Sequence, residues 1–196
     1  MPLRVHGVAQ ASGLTAWFTG LSGAGKSTLA TAVCERLKDQ GWPVVLLDGD
    51  DVRQYLWSDL GFSRRDREEN ARRLASVACA LNSKGIIALV AAISPYRSAR
   101  EEARLICPNF VEVYVNAPLE VCESRDPKGH YRRARGGELL QFTGLADPYQ
   151  PPLSPDVECL TDRETIEEST SKVIRAIQSY PVIAELEAAA LSLAPG

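Results

Sequence analysis

The segment "GLSGAGKS" at residues 20–27 decides the fold. It matches the phosphate-loop pattern G-x-x-x-x-G-K-[ST] at every fixed position. The apolar segment that enters it, at 14–20, predicts a buried β-strand, and the segment that leaves it, at 26–41, has the apolar spacing of an α-helix. Because strand, loop and helix follow one another in the order that this motif requires, the sequence predicts a phosphate-binding loop and not an ordinary glycine-rich turn.

The residues of this loop indicate that it binds a nucleoside triphosphate. Its glycines let backbone N–H groups turn inward around the phosphates, and the N-terminus of the following helix adds a favourable field for anions. The Lys26 ammonium can reach the β- and γ-phosphates, and the Ser27 hydroxyl can bind Mg²⁺. The predicted ATP-binding residues are Gly20, Leu21, Ser22, Gly23, Ala24, Gly25, Lys26, Ser27 and Thr28.

Short apolar strands alternate with helices along the rest of the chain. Apolar runs at 43–48, 85–93 and 110–117 predict three further strands. Such continuous runs are typical of strands that helices cover on both sides. The predicted fold is therefore α/β, a parallel sheet with helices on both faces, and ligands of such sheets bind beyond the carboxyl ends of the strands.

Two capping patterns and one irregular segment complete the predicted organisation. Ser63 and Asp66 have the spacing of a capping box and predict a helix that runs to about residue 84, and Thr161 and Glu164 predict the start of the last long helix in the same way. The segment at about 127–152 is rich in glycine, proline and basic residues and has no strand pattern. We interpret this segment as a lid.

The composition indicates a single domain at 1–196, with a C-terminal tail at about 181–196 that can form a short helix. The formal net charge of −3 argues against a general nucleic-acid binder, and the apolar runs are too short to cross a membrane. The cysteines show no C-x-x-C pair and no metal-ligand spacing, so we expect buried, reduced thiols in a cytoplasmic protein. They are Cys34, Cys79, Cys107, Cys122 and Cys159.

Acidic residues cluster where the second predicted strand ends. Asp48 and Asp50 lie at that end, and if this strand neighbours the first one, their carboxylates lie beside the γ-phosphate. One acid there can help to hold Mg²⁺, and one can take the proton of an acceptor hydroxyl. For Asp51 we expect only a helix-capping role. The Arg53 guanidinium can bind an anionic acceptor through two parallel hydrogen bonds.

The phosphate-loop motif by itself leaves the acceptor open. Water as the acceptor would make the protein an ATPase or GTPase, and a small-molecule hydroxyl would make it a kinase. The sequence contains no guanine-reading N-K-x-D motif, and a lid favours a kinase because it excludes water from the triphosphate. Two alternatives remain: a P-loop kinase for another small hydroxyl compound, and a nucleotide-binding regulatory domain without turnover.

Seven segments between residues 13 and 177, a range that covers nearly the whole chain, carry a resemblance to a known family: "GLSGAGKST", "LDGDDVR", "LGFSRRDREENARR", "ISPYRSAR", "NFVEVYVNAPLEVCESRDPKGHYRRAR", "FTGLADPYQPP" and "PDVECLTD". In these segments the sequence resembles the adenylylsulfate kinase family. This resemblance implies ATP-dependent phosphorylation of the 3′-hydroxyl of adenosine 5′-phosphosulfate (APS), with Mg²⁺ as cofactor, to give 3′-phosphoadenylyl sulfate (PAPS) and ADP in sulfate assimilation.

The resemblance also implies roles for individual residues. Asp50 corresponds to the acid near the 3′-hydroxyl and Mg²⁺, with Asp48 as its supporting partner and Ser27 as the second metal ligand. Lys26 and these two acids are the expected catalytic groups, together with Ser94, which bacterial members are described as carrying as a phosphoserine. The expected APS-binding residues are Arg53, Arg67 and Asn70 for the phosphosulfate, Phe62 and Phe142 for the two faces of the adenine, Ile93 and Ser94 for the acceptor wall, and Lys128 for the phosphates.

Some expectations concern the reaction path and the surroundings of the protein. Because phosphoryl transfer needs no covalent step when donor and acceptor are in line, we expect direct transfer without a phosphorylated Ser94. Ala91 and Ala92 stand where many members have a phenylalanine before "ISPYR", and we expect little effect on function from this difference. The resemblance implies a homodimer and possible functional coupling to an ATP sulfurylase, whose catalytic domain we do not find in this sequence.

Overall fold

A computed structural model describes residues 12–139 and 142–192 of the chain. Its sheet has five strands, all paired in parallel, in the order β2-β3-β1-β4-β5. The predicted parallel sheet is therefore confirmed. The strands are β1 (Thr15–Thr19), β2 (Val44–Asp48), β3 (Ile87–Ala91), β4 (Phe110–Asn116) and β5 (Val157–Leu160).

Helices connect these strands and cover the sheet on both faces, as predicted. Successive side chains of a strand point to opposite faces, so the neighbours Trp17 and Phe18 lie in two separate apolar clusters. The Phe18 side is covered by α1 and α7, and the Trp17 side by α3 and α4. The helices are α1 (Lys26–Asp39), α2 (Gly49–Tyr55), α3 (Arg64–Asn82), α4 (Arg97–Ile106), α5 (Leu119–Arg125), α6 (His130–Arg135), α7 (Ile166–Gln178) and α8 (Pro181–Ser192).

The order of the strands corrects one premise of the sequence analysis. The second strand does not neighbour the first, because β3 lies between β1 and β2. The acids at the end of β2 nevertheless lie near the phosphate loop, since the three strands share a register. Phe18 of β1 and Asp48 of β2 both align with Ala91 of β3, so the three strands reach their carboxyl ends in one row.

The start of α7 also differs from the prediction. Its N-cap is Thr165, which forms a capping box with Glu168, so the predicted cap of Thr161 and Glu164 is wrong. The Thr161 hydroxyl donates instead to the carbonyl of Ala24 in the phosphate loop, at 2.7 Å. Glu164 accepts a hydrogen bond from the Lys172 ammonium at 2.6 Å. The capping box of α3 is confirmed, with Ser63 and Asp66 bonded reciprocally.

The lid and the tail contain short regular elements. Within the lid segment, α6 is followed by an irregular stretch that includes the bridge between Thr143 and Asp147, while residues 140 and 141 lie outside the described part. The tail forms α8, as expected, and its last four residues are not described. Within 12–139 and 142–192, no helix has the length and apolar character needed to cross a membrane.

We expect Thr165→Ala to lower the free energy of unfolding by about 1 kcal/mol, because it removes the side-chain acceptor of the N-terminal N–H groups of α7. Urea denaturation of the purified variant measures this change. Ser171→Ala, within the same helix, is the control and should stay close to the parent protein. If Thr165→Ala unfolds at the same urea concentration as the control, the assigned cap is incorrect.

Candidate active site

The phosphate loop lies between β1 and α1 and borders a cavity of about 560 Å³. Gly25 is the N-cap of α1 with a φ of 100°, a left-handed conformation that glycine adopts without strain. A Cβ atom at Gly23 would lie 2.6 Å from the carbonyl oxygen of Cys122. The motif therefore needs glycine at these two positions to bring its backbone N–H groups around an anion.

Lys26 begins α1 and lines this cavity. Its ammonium donates to the carbonyl of Leu21 at 2.7 Å, which holds the charge within the loop. Burial lowers the pKa of Lys26 to about 8, although the carboxylates of Asp50 and Asp48 act in the opposite direction. A triphosphate would add negative charge at this point and favour the protonated form, which is the form that stabilises a transferring phosphoryl group.

Asp48 joins the end of β2 to the phosphate loop. One of its carboxylate oxygens accepts from the Ser27 hydroxyl at 2.5 Å, and the other accepts from the backbone N–H of Asp50 at 2.9 Å. Asp48 is thus the N-cap of α2. The capping role that we expected for Asp51 belongs to Asp48, and Asp51 lies exposed in the first turn of the helix.

Asp50 forms an ion pair with a residue of the lid. Its carboxylate lies 2.6 Å from the ammonium of Lys128. Burial raises the pKa of Asp50, but the hydrogen bond and charge of Lys128 and the charge of Lys26 outweigh it, so the pKa lies below its ordinary value. Asp50 is therefore ionised at neutral pH and can bind a cation or a hydroxyl proton.

The oxygen atoms of Ser27, Asp48 and Asp50 fit Mg²⁺ in chemical type, because this ion prefers hard oxygen ligands. In the described residues there is no group of three or more histidine, cysteine, aspartate or glutamate side chains that could enclose a metal. One hydroxyl and two carboxylates suit Mg²⁺, which keeps several water ligands and binds phosphate oxygens alongside one or two carboxylates. The sequence predicted Ser27 and Asp50 as metal ligands. The structure adds Asp48 as a third candidate ligand, because its carboxylate directly contacts Ser27.

A second, smaller pocket opens on the other side of Asp50. The two pockets share Asp50, Ala92 and Ile93, so these residues form the wall between them. The predicted acceptor residues come together here, with two exceptions discussed below. The second pocket is lined by Gly49, Asp50, Arg53, Phe62, Arg67, Asn70, Ala92, Ile93, Ser94 and Pro95.

The second pocket is lined by two positively charged side chains and one aromatic ring. The Arg53 guanidinium lies 4.9 Å from the centre of the Phe62 ring, and Phe62 is 59% exposed. Burial and the positive charge of Arg67 lower the pKa of Arg53. The pocket therefore holds positive charge that an anion would stabilise. The side-chain oxygen of Asn70 is buried there without a hydrogen-bond partner among the described residues, so it is available as an acceptor.

Ser94 is held tightly at the wall of the second pocket. Its φ of 44° lies in the left-handed region that favours glycine, and only 6% of the residue is exposed. Its hydroxyl oxygen accepts a hydrogen bond from the indole N–H of Trp17 at 3.1 Å. This bond uses a lone pair of the oxygen that would have to attack a phosphoryl group.

Two predicted acceptor residues lie elsewhere. Phe142 is 8% exposed and packs its ring edge-on against Tyr131, with 4.9 Å between the ring centres. It belongs to the apolar core and lines neither pocket, so Phe62 and Phe142 do not face each other in this structure. Lys128 lines the larger cavity and not the smaller pocket. That Phe62 and Phe142 cover the two faces of the adenine stays a prediction, and it requires a different position of the lid.

Several lining residues of the larger cavity were not predicted from the sequence, among them Arg125 and Thr161. Arg125, at the end of α5, donates to the carbonyl of Thr161 at 2.7 Å, and both residues line the cavity. No sequence pattern indicated a binding role for Thr161, because this residue follows β5, a strand that was not predicted. Recognition of that strand would have placed Thr161 at the carboxyl edge of the sheet, where ligands bind.

The sequence model of the adenylylsulphate kinase family matches residues 12–160. The chain belongs to this family. The adenylyl-sulfate kinase of Halothermothrix orenii is 58% identical over 85% of this chain and 90% of its own length. The structure of the Mycobacterium tuberculosis APS kinase CysC in complex with AMPPNP and APS is 45% identical, with a TM-score of 0.83 over 86% of this chain and 99% of that one.

A third comparison concerns a larger protein. The hexameric APS kinase from Thiobacillus denitrificans is 34% identical, with a TM-score of 0.64, over 86% of this chain but only 29% of its own. This chain therefore matches one part of that protein. The family and the P-loop kinase fold that the sequence analysis expected are both confirmed.

We expect Lys26→Ala to lower the kcat of phosphoryl transfer from ATP by at least ~10²-fold, as removal of one preorganised donor to a transition state does. ADP release at saturating substrate concentrations measures this loss. Lys38→Ala, on the exposed last turn of the same helix, is the matched control. Near-normal turnover of Lys26→Ala would contradict the assignment of the phosphate loop.

Proposed function

We propose that the protein transfers the γ-phosphoryl group of ATP to the 3′-hydroxyl of APS and releases PAPS and ADP. The observation that carries this proposal is the pair of pockets on either side of Asp50, one bordered by the phosphate loop and one lined by arginines and an aromatic ring. Kinship with the adenylyl-sulfate kinase of Halothermothrix orenii and with the APS-bound kinase of Mycobacterium tuberculosis supports it.

On the donor side, the phosphates of ATP bind the loop at 20–27. The inward backbone N–H groups and the N-terminus of α1 stabilise their charge, and Lys26 contacts the β- and γ-phosphates. The adenine then extends along the larger cavity toward Arg125 and Thr161. A guanidinium plane suits the face of a base, because both surfaces are flat and the cation is attracted to the π-system.

On the acceptor side, the phosphosulfate binds Arg53 and Arg67, since charge-assisted bonds from guanidinium groups are the strongest available for such an anion. The exposed ring of Phe62 offers a stacking surface for the adenine of APS. The unpartnered oxygen of Asn70 accepts a hydrogen bond from the substrate. With the lid closed, Phe142 covers the other face of the adenine and Lys128 moves to the phosphates.

Between the two pockets, Asp50 receives or orients the proton of the 3′-hydroxyl, and the oxygen of that hydroxyl attacks the γ-phosphorus in line with the departing ADP oxygen. Ser27, Asp48 and Asp50 would hold Mg²⁺ together with the phosphate oxygens, and the ion supplies charge neutralisation at the transferring group. The wall at Ile93 and Ser94 keeps the acceptor against Asp50, and the lid excludes water that would otherwise hydrolyse ATP.

The proposal also covers the location of the enzyme, its oligomeric state and a partner enzyme. We place the enzyme in the cytoplasm, where free thiols persist, because all five cysteines are unpaired and four are buried. We also propose a homodimer and functional coupling to an ATP sulfurylase that supplies APS. Light scattering of the purified chain tests whether it forms a homodimer. A coupled assay with a sulfurylase tests the functional coupling.

The decisive experiment incubates the protein with ATP, Mg²⁺ and APS and identifies the products by mass spectrometry. We expect PAPS and ADP in equal amounts. Parallel reactions replace APS with adenosine, gluconate or shikimate as hydroxyl acceptors without a phosphosulfate. Equal turnover with these compounds would reject APS as the substrate, and ADP formation without any acceptor would indicate an ATPase.

We expect Asp50→Asn to slow the chemical step by about 10²–10⁴-fold, because the amide keeps the shape of the side chain but cannot take a proton. ATP binding should change less, since Ser27 and Asp48 still contact each other. Single-turnover quench-flow measurements separate the two effects. Asp51→Asn, one residue further in the same helix, serves as the control, and an unchanged rate for Asp50→Asn would leave this carboxylate no role in the chemistry.

We expect Ser94→Ala to remain active, because the buried hydroxyl already bonds to Trp17 and in-line transfer needs no phosphorylated serine. Its kcat should stay within about tenfold of the parent value. The parent protein should also show no exchange of label between ATP and ADP when APS is left out. A folded but inactive Ser94→Ala, together with such exchange, would establish a covalent intermediate.

A further inference from the structure

Arg100, on α4, is a buried cation outside both pockets of the proposed active site. Only 3% of its surface is exposed, and each of its three side-chain nitrogens donates a hydrogen bond. Nε contacts the carboxylate of Glu112 at 2.7 Å, which neutralises the buried charge. The other two nitrogens contact backbone carbonyls, Ser94 at 2.6 Å and Gln150 at 2.7 Å.

These two carbonyls belong to different functional segments. Ser94 is part of the acceptor wall, and its hydrogen bond to Arg100 helps to hold the left-handed backbone at that position. Gln150 lies at the C-terminal end of the lid segment. One guanidinium therefore connects the acceptor wall to the end of the lid, and its planar geometry fixes the angle between the two bonds.

Further hydrogen bonds join the same two segments. The backbone N–H of Gln150 donates to the carbonyl of Pro95 at 2.8 Å, and the side-chain oxygen of Gln150 accepts from the backbone N–H of Arg97 at 3.0 Å. The Arg97 guanidinium donates to the carbonyl of Pro151 at 2.7 Å. Together with Arg100, these bonds attach the end of the lid to the loop that follows β3.

Tyr149 extends this connection to the start of the phosphate loop. The Thr19 hydroxyl donates to the carbonyl of Ile93 at 2.7 Å, and because a carbonyl only accepts, this bond uses the single hydroxyl proton of Thr19. The Tyr149 hydroxyl, 2.9 Å from that of Thr19, must therefore donate to it. The chain of bonds runs from the lid through β1 to the wall between the two pockets.

We propose that Arg100 is a positioning residue for the acceptor: its guanidinium holds the wall at Ser94 and the end of the lid at Gln150 in one rigid unit. The wall keeps its distance from Asp50 during closure. This proposal rests on the proposed function for its kinetic consequence, although the rigid unit itself does not depend on the identity of the acceptor.

The experiment compares Arg100→Lys with Arg104→Lys. Lysine keeps the positive charge, but its three N–H donors share one nitrogen, whereas Glu112 and the two carbonyls lie beside three different nitrogens of the planar guanidinium, so lysine cannot reach all three acceptors at once. Arg104 lies one turn further on the same helix and also pairs with Glu112, at 3.9 Å, but it donates to Asp156 and to the carbonyl of Phe110 and not to the acceptor wall. Steady-state kinetics with APS and ATP are measured for both variants, together with hydrogen exchange of the peptides at 88–100 and 142–155.

For Arg100→Lys we expect the KM for APS to rise about tenfold and kcat to fall by about 10-fold to 10²-fold, since a displaced wall misplaces the acceptor hydroxyl. The KM for ATP should stay within about twofold. Exchange should increase in both peptides. Arg104→Lys should leave all these quantities near the parent values. Equal changes in both KM values, or no difference between the two variants, would overturn the positioning role.

Tyr149→Phe gives a second test if Arg100→Lys does not fold. It removes only the hydroxyl that contacts Thr19, and we expect the same selective rise in the KM for APS, about threefold, with an unchanged melting temperature. An unchanged KM for APS in this variant would count against the proposal. If the parent protein forms no PAPS, the proposed function fails, and hydrogen exchange alone then decides whether Arg100 or Tyr149 connects the two segments.

Discussion

The shared register of three parallel strands is the constraint on which the rest of the structure depends. Phe18 in β1 and Asp48 in β2 both align with Ala91 in β3, so the three strands end in one row. Neighbouring strands of a sheet are about 4.8 Å apart. The phosphate loop, the acceptor wall and Asp50 all begin within two residues of this row, so short loops suffice to bring donor, acid and acceptor together.

The hydrogen bond between Ser27 and Asp48 shows what this constraint achieves. It connects the first turn of α1 to the end of β2 across the intervening strand β3. Because Asp48 also caps α2, the same carboxylate fixes where Asp50 lies relative to the phosphate loop. The position of the proposed base therefore depends on the buried sheet and on one carboxylate at its edge.

The sequence predicted what local patterns determine, namely the phosphate loop, the first four strands, the capping box of α3 and the two acids after β2. It could not give the order of the strands, because pairing depends on contacts between distant segments. It also missed β5, whose four residues, "VECL", alternate between buried and exposed positions and are too few to distinguish from a loop.

The cap of α7 illustrates why a local pattern was not sufficient. Thr161 with Glu164 and Thr165 with Glu168 both have capping-box spacing, and they lie one helical turn apart. Tertiary contacts decide between them, since Thr161 bonds to the phosphate loop and Glu164 to Lys172. For Phe142, likewise, no sequence pattern distinguishes a ring that packs on Tyr131 from a ring that covers a substrate.

The ion pair between Lys128 and Asp50 connects the position of the lid to the proposed chemistry. A carboxylate with a lowered pKa is a weak base, so Asp50 accepts a proton poorly while Lys128 is bound to it. Phosphates in the larger cavity offer Lys128 another anionic partner. If Lys128 moved to them, Asp50 would lose its ion-pair partner, and its carboxylate would become free to contact Mg²⁺ or the acceptor hydroxyl. In the proposed reaction, the same ion pair would therefore connect donor binding to the availability of Asp50.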